Sequence, residues 1–473
     1  MVESFKSRWP KPAMAFFLLS AATAIALRAQ TFTTLVSFDG ANGANPYAGL
    51  IQDTDGNFYG TTYNGGSSTN CQGCGTVFNV SPSGMLTTLY SFASTDGQHP
   101  QGGLIQAANG YLYGTTVFGG SGSSCACGTV YRMTVSGTLT TLHSFNISDG
   151  SVPYTGLVQA TNGYLYGTTP YGGTDNFGTI FKITPTGSLT TLYSFSSTDG
   201  TYPADGLLQA KDGNLYGTTF SGGTSSACQG GCGTIFSITP SGTLTTLHDF
   251  ANTDGAWPIG TLIQATDGGF YGMTDSGGAS GVGTVFKMTP SGVLTTIYNF
   301  SATGVNPYFP LNGLLQATDG NLYGATSGGG TYNNGAIYKI TPNGALTTLY
   351  SLSLTDGWDI YGALTQGTDG SFYGTIYQGG ANSAGSIFRL SVGLGPFVKT
   401  LPASGKVEST VKILGTDLTG ATGVSFNGVA ATFTVVSPSL ITTTVPTGAT
   451  TGKVQVVTPA GTLSSNVAFR VRS

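Results

Sequence analysis

Seven copies of one pattern run through most of the chain, and this repeat constrains the fold more than any other feature of the sequence. A Tyr-Gly pair recurs every 50–55 residues, in a block whose third copy reads GLVQATNGYLYGTTPYGG and then GTIFKITPTGSLTTLYSF. Each copy holds four runs of strand-forming residues, separated by Asn-Gly, Asp-Gly or Pro-x-Gly turns and by a longer Gly-Gly loop. Four antiparallel strands in a unit of this length are typical of a β-propeller blade. The tyrosines of the pairs are Tyr59, Tyr113, Tyr166, Tyr216, Tyr271, Tyr323 and Tyr373.

The two ends of the repeat array are incomplete in complementary ways. Residues 31–38 resemble a last strand with no strands before it, and the seventh copy ends at Ser386–Ser391 without a good last strand. We therefore expect Thr33–Phe38 to pair with Ile387–Leu390 and to close a ring. The sequence thus predicts an all-β protein with a seven-bladed β-propeller over residues 30–393.

Composition excludes several other classes. The chain has 75 glycines among 473 residues, yet no G-X-Y period, which excludes collagen. Charged residues make up 8% and aromatic residues 11%, which argues against intrinsic disorder. So many glycines also argue against a mainly helical protein. No cluster of Lys or Arg follows residue 29, so we expect no nucleic-acid partner.

The first 29 residues are typical of a secretory signal peptide. Lys6, Arg8 and Lys11 precede the apolar stretch Ala13–Leu27, and we expect cleavage after Ala29. An uncleaved N-terminal anchor is the alternative. No later segment has 18 uninterrupted apolar residues, so we expect no membrane span once the signal is removed. The protein is predicted to be secreted or held at the cell surface.

Six cysteines occur as three close pairs, each within a Gly/Ser-rich loop. Disulfides within the pairs fit an exported protein. Zinc shared between two pairs and cross-links between the first two loops are the alternatives, although no histidine lies near the pairs. The pairs are Cys71 and Cys74, Cys125 and Cys127, and Cys228 and Cys232.

The repeated YGTT…GG…GTVFKITPSG-LTTLYSF block resembles the GloVer tandem repeat of bacterial exported proteins. The resemblance covers about Thr31–Val392, and all seven copies show most of the block. It implies an exported β-repeat protein and brings no enzymatic activity to transfer.

The pattern changes near Gly395, where tyrosine disappears and valine and threonine dominate. Residues 411–415 (VKILG), 424–428 (VSFNG), 441–446 (ITTTVP) and the strand at 452–457 resemble an IPT/TIG domain. The resemblance implies a small immunoglobulin-like β-sandwich over residues 394–473, used as a spacer or binding module.

Residues suited to acid–base catalysis are scarce. The only glutamate after residue 29 is Glu408, which lies in the predicted sandwich, so a glutamate pair in the propeller is impossible. Most aspartates fall in turns, where they favour the turn itself more than calcium binding. His143 and His248 stand where other copies have tyrosine. We expect no catalysis, no cofactor and no metal. A propeller-type polysaccharide hydrolase or lyase using aspartates is the alternative, and a structural surface or matrix component is another.

Aromatic loops on one face are the candidate binding site. Strands alternate in direction, so the long, variable second-to-third and fourth-to-first loops share a face opposite the short turns. Their aromatic residues suit a glycan or a protein surface; alternatively they only cover the blade ends. We expect an extracellular glycan or protein as partner and a monomeric protein. The candidate residues are Tyr47, His99, Tyr154, Tyr202, Trp257, Tyr308 and Trp358.

Overall fold

The computed structural model describes residues 30–68, 71, 73–121, 125–311 and 313–472. These residues form 39 strands and no helix, so none of the described segments is a helix that could cross a bilayer. The predicted signal peptide, residues 1–29, lies outside the described residues. An all-β fold is confirmed.

Seven small sheets follow the seven repeats. The first six sheets each consist of strands that are consecutive in the chain. The sheet of the sixth repeat has five strands instead of four, because β22 and β23 both pair with β24. The strands of the first three sheets are β2 (Ile51–Gln52), β3 (Phe58–Thr62), β4 (Thr76–Val80) and β5 (Leu86–Ser91); β6 (Ile105–Gln106), β7 (Leu112–Thr116), β8 (Thr129–Met133) and β9 (Leu139–Ser144); and β10 (Val158–Gln159), β11 (Leu165–Thr169), β12 (Thr179–Ile183) and β13 (Leu189–Ser194). The next three are β14 (Leu208–Gln209), β15 (Leu215–Thr219), β16 (Thr234–Ile238) and β17 (Leu244–Asp249); β18 (Ala256–Gln264), β19 (Phe270–Ser276), β20 (Thr284–Met288) and β21 (Leu294–Asn299); and β22 (Tyr308–Pro310), β23 (Leu315–Gln316), β24 (Leu322–Gly328), β25 (Ala336–Ile340) and β26 (Leu346–Ser351).

The seventh sheet joins the two ends of the array. It contains β27 (Thr365–Gln366), β28 (Phe372–Ile376), β29 (Ser386–Ser391) and the N-terminal strand β1 (Thr31–Ser37). Strand β1 runs antiparallel to β29, with Thr31 opposite Ser391 and Ser37 opposite Ser386. The two incomplete copies therefore complete one sheet.

Hydrophobic clusters bind each sheet to the next. Seven clusters each span two neighbouring sheets, and one of them joins the first sheet to the seventh, where the Phe58 and Tyr373 rings lie 3.9 Å apart. The tyrosines of the Tyr-Gly pairs are buried in these clusters. The glycine of each pair is needed for close packing, since a Cβ on Gly60 would lie 2.6 Å from the Phe78 ring. The seven sheets therefore close into a propeller-like ring.

Glutamines at the ends of the first strands link neighbouring sheets a second time. In six junctions a backbone N–H of one turn donates to the glutamine Oε1 of the following sheet at 2.8–3.1 Å, and Thr368 closes the ring by donating to Gln52. The first-to-second junction differs. There Asp53 accepts the N–H of Thr54, although the equivalent Gln106 is present.

The C-terminal residues form the predicted immunoglobulin-like sandwich. Its core contains Val411, Ile413, Phe426, Ile441 and Val456, which are fully or almost fully buried. One sheet has the order β30-β32-β36-β35, the other β34-β33-β37-β38, and β31 pairs parallel with β39. These strands are β30 (Lys399–Leu401), β31 (Ser404–Lys406), β32 (Thr410–Leu414), β33 (Gly423–Phe426), β34 (Val429–Ala431), β35 (Phe433–Ser437), β36 (Leu440–Thr444), β37 (Val454–Thr458), β38 (Gly461–Ser464) and β39 (Arg470–Arg472).

The sandwich docks on the face of the ring that carries the short first-to-second turns. Phe397 N–H donates to Thr368 O at 2.9 Å, and Lys399 Nζ donates to Gln366 O at 2.6 Å. Ser439 Oγ donates to Thr54 O at 3.2 Å. The face with the long, variable loops is therefore the one that the sandwich does not cover.

Candidate functional site

A cavity of about 900 Å³ opens at the end of the ring away from the sandwich. Its wall is made where the chain enters the first strand of each sheet, so all seven repeats contribute to it. Tyr63, Phe118, Phe220 and Tyr377, from the second-to-third loops, add aromatic rings. The two loop types that the sequence placed on one face therefore meet around this cavity.

Three positions around one proline in the fourth-to-first loops, two before it and one after it, differ in what they face. In six repeats a proline marks them, and in the seventh Ile360 takes its place. The residue after the proline is here called the inner position, and all seven inner residues line the cavity. They are Tyr47, Gln101, Tyr154, Ala204, Ile259, Leu311 and Tyr361.

The residue before the proline is called the latch position, because in five repeats its N–H donates to a backbone carbonyl of the preceding sheet. All seven latch residues have positive φ, between 54° and 66°. This conformation points the N–H of His99 to Cys74 O, that of Val152 to Cys127 O and that of Trp257 to Cys232 O, each at 2.8 Å. The latch residues are Asn45, His99, Val152, Tyr202, Trp257, Phe309 and Asp359.

The residue one step earlier, called the rim position, pairs with a second-to-third loop. Trp358 pairs with Gln378 through the backbone, and its Nε1 also donates to Gln378 Oε1 at 2.9 Å. Tyr308 pairs with Gly328 through the backbone alone.

The structure thus divides the seven predicted binding residues among three positions. Tyr47 and Tyr154 are inner residues and line the cavity. His99, Tyr202 and Trp257 are latch residues, and Tyr308 and Trp358 are rim residues. All seven are partly buried.

Three latch aromatics, His99, Tyr202 and Trp257, pack on the second-to-third loop of the preceding sheet. The His99 ring stacks on Tyr63 at 4.4 Å, and its Nδ1 lies 2.8 Å from Tyr63 O. Trp257 stacks on Phe220 at 5.8 Å. They therefore hold in place the rings of Tyr63 and Phe220, which do line the cavity.

Three tyrosines form a cluster where the seventh sheet meets the first. Tyr47 and Tyr361 stack with ring centres 4.6 Å apart and planes 9° apart, and Tyr377 meets both edge-on. Burial raises the pKa of Tyr361 to about 12 and raises that of Tyr47 further, so both phenols are neutral near pH 7. This cluster offers flat aromatic surface and hydroxyl groups together.

Asp205 stands on the opposite part of the wall, in the fourth repeat. Its Oδ1 accepts the N–H of Gly260 at 2.8 Å, and its Oδ2 accepts from Thr218 Oγ1 at 3.1 Å. The side chain is partly exposed to the cavity but otherwise surrounded by protein, and this burial raises its pKa to about 6. The carboxylate charge also raises the pKa of Tyr47, so it acts across the cavity.

Sequence reasoning missed Asp205 because it grouped the aspartates by their turns. Asp205 is two residues after the proline, where three other repeats have glycine: Gly102, Gly260 and Gly362. This departure from the repeat is the signal that could have found it. Tyr361 was missed because its repeat lacks the proline.

The six cysteines form three disulfides, within the predicted pairs. The second cysteine of each pair supplies the carbonyl that a latch residue binds. The disulfides therefore brace three of the loops that fasten one sheet to the next. Within the described part of the chain no group of three or more Cys, His, Asp or Glu side chains could hold a metal.

His143 and His248 belong to a structural pattern on the outer strands. His143 Nε2 lies 3.1 Å from Asp149 Oδ2, and His248 Nε2 lies 2.9 Å from Asp254 Oδ2. Tyr90 makes the same contact with Asp96 at 2.6 Å in another repeat. These aspartates, which belong to the Asp-Gly pairs after the last strands, thus hydrogen-bond to a tyrosine or histidine side chain of their own repeat.

The Gloeobacter/Verrucomicrobia repeat model matches residues 21–230, 208–388 and 304–424, which together span most of the chain. The chain belongs to the Gloeobacter/Verrucomicrobia repeat family. The IPT/TIG domain model matches residues 397–471, which confirms the second resemblance. No curated protein matches the chain in sequence.

Solved structures resemble this member of the family in fold alone. A fungal alcohol oxidase of the AA5 family, in complex with copper, has a TM-score of 0.53 at 14% identity, over 94% of this chain and 99% of that one. This coverage is more than the ring alone accounts for, so the likeness includes the sandwich. The Pseudomonas aeruginosa periplasmic gluconolactonase PpgL has a TM-score of 0.46 at 17% identity, over 82% of this chain and 99% of that one. The extracellular domain of the hybrid two-component system BT3049 from B. thetaiotaomicron has a TM-score of 0.49 at 11% identity, over 94% of this chain and 58% of that one.

Proposed function

We propose that the protein is an exported binding protein, a seven-bladed β-propeller whose open face takes an extracellular glycan or protein. The observation that carries the proposal is the aromatic cavity of about 900 Å³, to which all seven repeats contribute and which the sandwich leaves uncovered. Its size lies in the range of known ligand sites, which extends to about 1,000 Å³. Flat rings beside hydroxyl groups suit the apolar faces and polar edges of sugars.

Export is supported by the disulfides and by the IPT/TIG domain. Disulfides persist in oxidising compartments and are rare in the cytosol. In this proposal the sandwich holds the ring at a distance from whatever the chain is attached to, since it docks on the face opposite the cavity.

Binding without turnover is favoured by the charge pattern of the cavity. Most glycoside hydrolases use two carboxyl groups on either side of the bond that they cleave. Among the described residues that line the cavity, Asp205 is the only one with a carboxyl side chain. The phenols of Tyr47 and Tyr361 have pKa values above their usual range, which does not suit a general base near neutral pH.

A glycan array with the full-length secreted protein tests this proposal. We expect the wild type to bind a defined set of glycans, and the double variant Tyr47→Ala, Tyr361→Ala to lose at least tenfold in affinity, as for the central residues of other interfaces. Tyr164→Ala is the matched control, because Tyr164 is an exposed tyrosine on a short turn at the other end of the ring.

Equal binding by the double variant would place the site elsewhere. Absence of any glycan signal would remove the glycan form of the proposal. Hydrolysis of a polysaccharide that Asp205→Asn abolishes would favour the hydrolase alternative.

A further inference from the structure

We propose that the cavity selects a ligand with a free, positively charged amino group, for which Asp205 is the counter-ion. This inference rests on the proposed function: among glycans, it specifies an amino sugar whose nitrogen is not acylated. It assigns a charge preference to a site that aromatic rings alone would leave open to any sugar.

The first step is the incomplete neutralisation of Asp205. An ionised carboxylate can accept about four hydrogen bonds, and Asp205 accepts one on each oxygen, from Gly260 N–H and Thr218 Oγ1. No Lys, Arg or His occurs among the described residues that line the cavity. A charge that is largely removed from water is stabilised by an opposite charge, so a cation that enters the cavity would gain a strong partner.

The second step is the aromatic wall around this charge. The inner residues Tyr47, Tyr154 and Tyr361 and the loop residues Tyr63 and Tyr377 line the same cavity. The faces of aromatic rings attract cations, and more strongly where water is excluded. Rings and carboxylate therefore favour the same sign of ligand charge, and both disfavour an anion.

The third step separates this role from a structural one. Asp205 bridges the fourth and fifth sheets, whereas in other junctions a threonine equivalent to Thr218 bonds a backbone carbonyl of the next sheet, as Thr115 does with Thr155 O at 2.8 Å. The bridge needs a hydrogen-bonding side chain but no charge. An asparagine can accept the Gly260 N–H on its Oδ1 and donate from its Nδ2 to Thr218 Oγ1, so Asp205→Asn removes the charge and keeps the bridge.

The experiment compares two tetrasaccharides by isothermal titration calorimetry with the full-length secreted protein at pH 6.5, where Asp205 is mostly ionised and a large share of sugar amino groups is protonated. One is the tetramer of glucosamine, which has free amino groups, and the other is the tetramer of N-acetylglucosamine, which is neutral. We expect the wild type to bind the glucosamine tetramer about tenfold more tightly or better, as for one partly buried charge-assisted contact.

Asp205→Asn should lose this preference while its thermal unfolding stays close to that of the wild type. Tyr164→Ala should keep the preference. A wild type that binds both tetramers equally, or binds neither, would overturn the amine inference, as would an unchanged preference in Asp205→Asn.

The experiments distinguish failure of the amine inference from failure of the proposed binding function. If the array shows a neutral glycan that the Tyr47→Ala, Tyr361→Ala variant no longer binds, the binding function stands even when the amine inference fails. If neither the array nor calorimetry shows binding, both fail.

Discussion

At the scale of single residues, departures from the repeat are the most informative. Asp53 stands where five other repeats have alanine, and it is 1% exposed. Its Oδ1 accepts from Thr54, while its Oδ2 is buried without a hydrogen bond in the described structure. Burial raises its pKa, against smaller opposing effects of Thr54 and Gln106. The ionised side chain therefore costs stability at the one junction where a glutamine does not accept the turn N–H.

We predict that Asp53→Ala stabilises the protein by about 1–3 kcal/mol at pH 7, the usual cost of an unsatisfied buried polar group. Because the folded-state pKa lies above the unfolded value of 3.8, the folded state holds the proton more tightly, and wild-type stability falls as the pH rises from about 4. The gain should therefore shrink towards pH 4. Urea unfolding of both proteins at pH 4 and pH 7 measures it, and a less stable variant at pH 7 would contradict the prediction.

At the scale of elements, the repeat predicted strands well and loops poorly. Periodic apolar residues and Gly-containing turns are local signals, so the four runs of each copy form one sheet in the predicted order. The separation of Tyr47 from His99 and Trp257 depends on a left-handed backbone before proline, which contacts between sheets impose. Valine disfavours this conformation, so the local sequence does not predict it at Val152. The sequence therefore locates the loops around the cavity, but of its seven candidate residues only Tyr47 and Tyr154 line the cavity itself.

The N-terminal strand β1 and the residue after it should contribute strongly to the stability of the ring. Phe38, directly after it, is fully buried and meets Phe78 of the first sheet edge-on at 5.2 Å. Phe38→Ala should cost about 3–5 kcal/mol, as for other buried phenylalanines, and deletion of residues 30–38 should cost more. Thermal unfolding tests both. Met85→Ala is the control, since Met85 is 73% exposed. An unchanged melting temperature after the deletion would mean that β1 does not hold the ring closed.

At the scale of the whole molecule, the two ends of the ring have different tasks. The sandwich contacts backbone carbonyls of the turns, at Thr54, Gln366 and Thr368, while Arg470 reaches Lys211 O at 2.8 Å. These contacts spread over the first, fourth and seventh repeats, so they fix the sandwich to the ring as a unit. None of the cavity-lining residues takes part in them.

This separation predicts that the ring binds without the sandwich. Each of the seven hydrophobic clusters of the ring is made within residues 30–394, and the sandwich has a core of its own. A chain ending at residue 394 should therefore melt at a lower temperature, because the turn face is no longer covered by the sandwich. Its affinity for the glucosamine tetramer should stay within about threefold of the full-length value. This change is smaller than the tenfold loss of affinity that one lost charge contact would cause. Calorimetry on the truncated chain, after circular dichroism has shown it folded, measures this. A folded ring with tenfold weaker binding would show that the sandwich shapes the cavity from the far side.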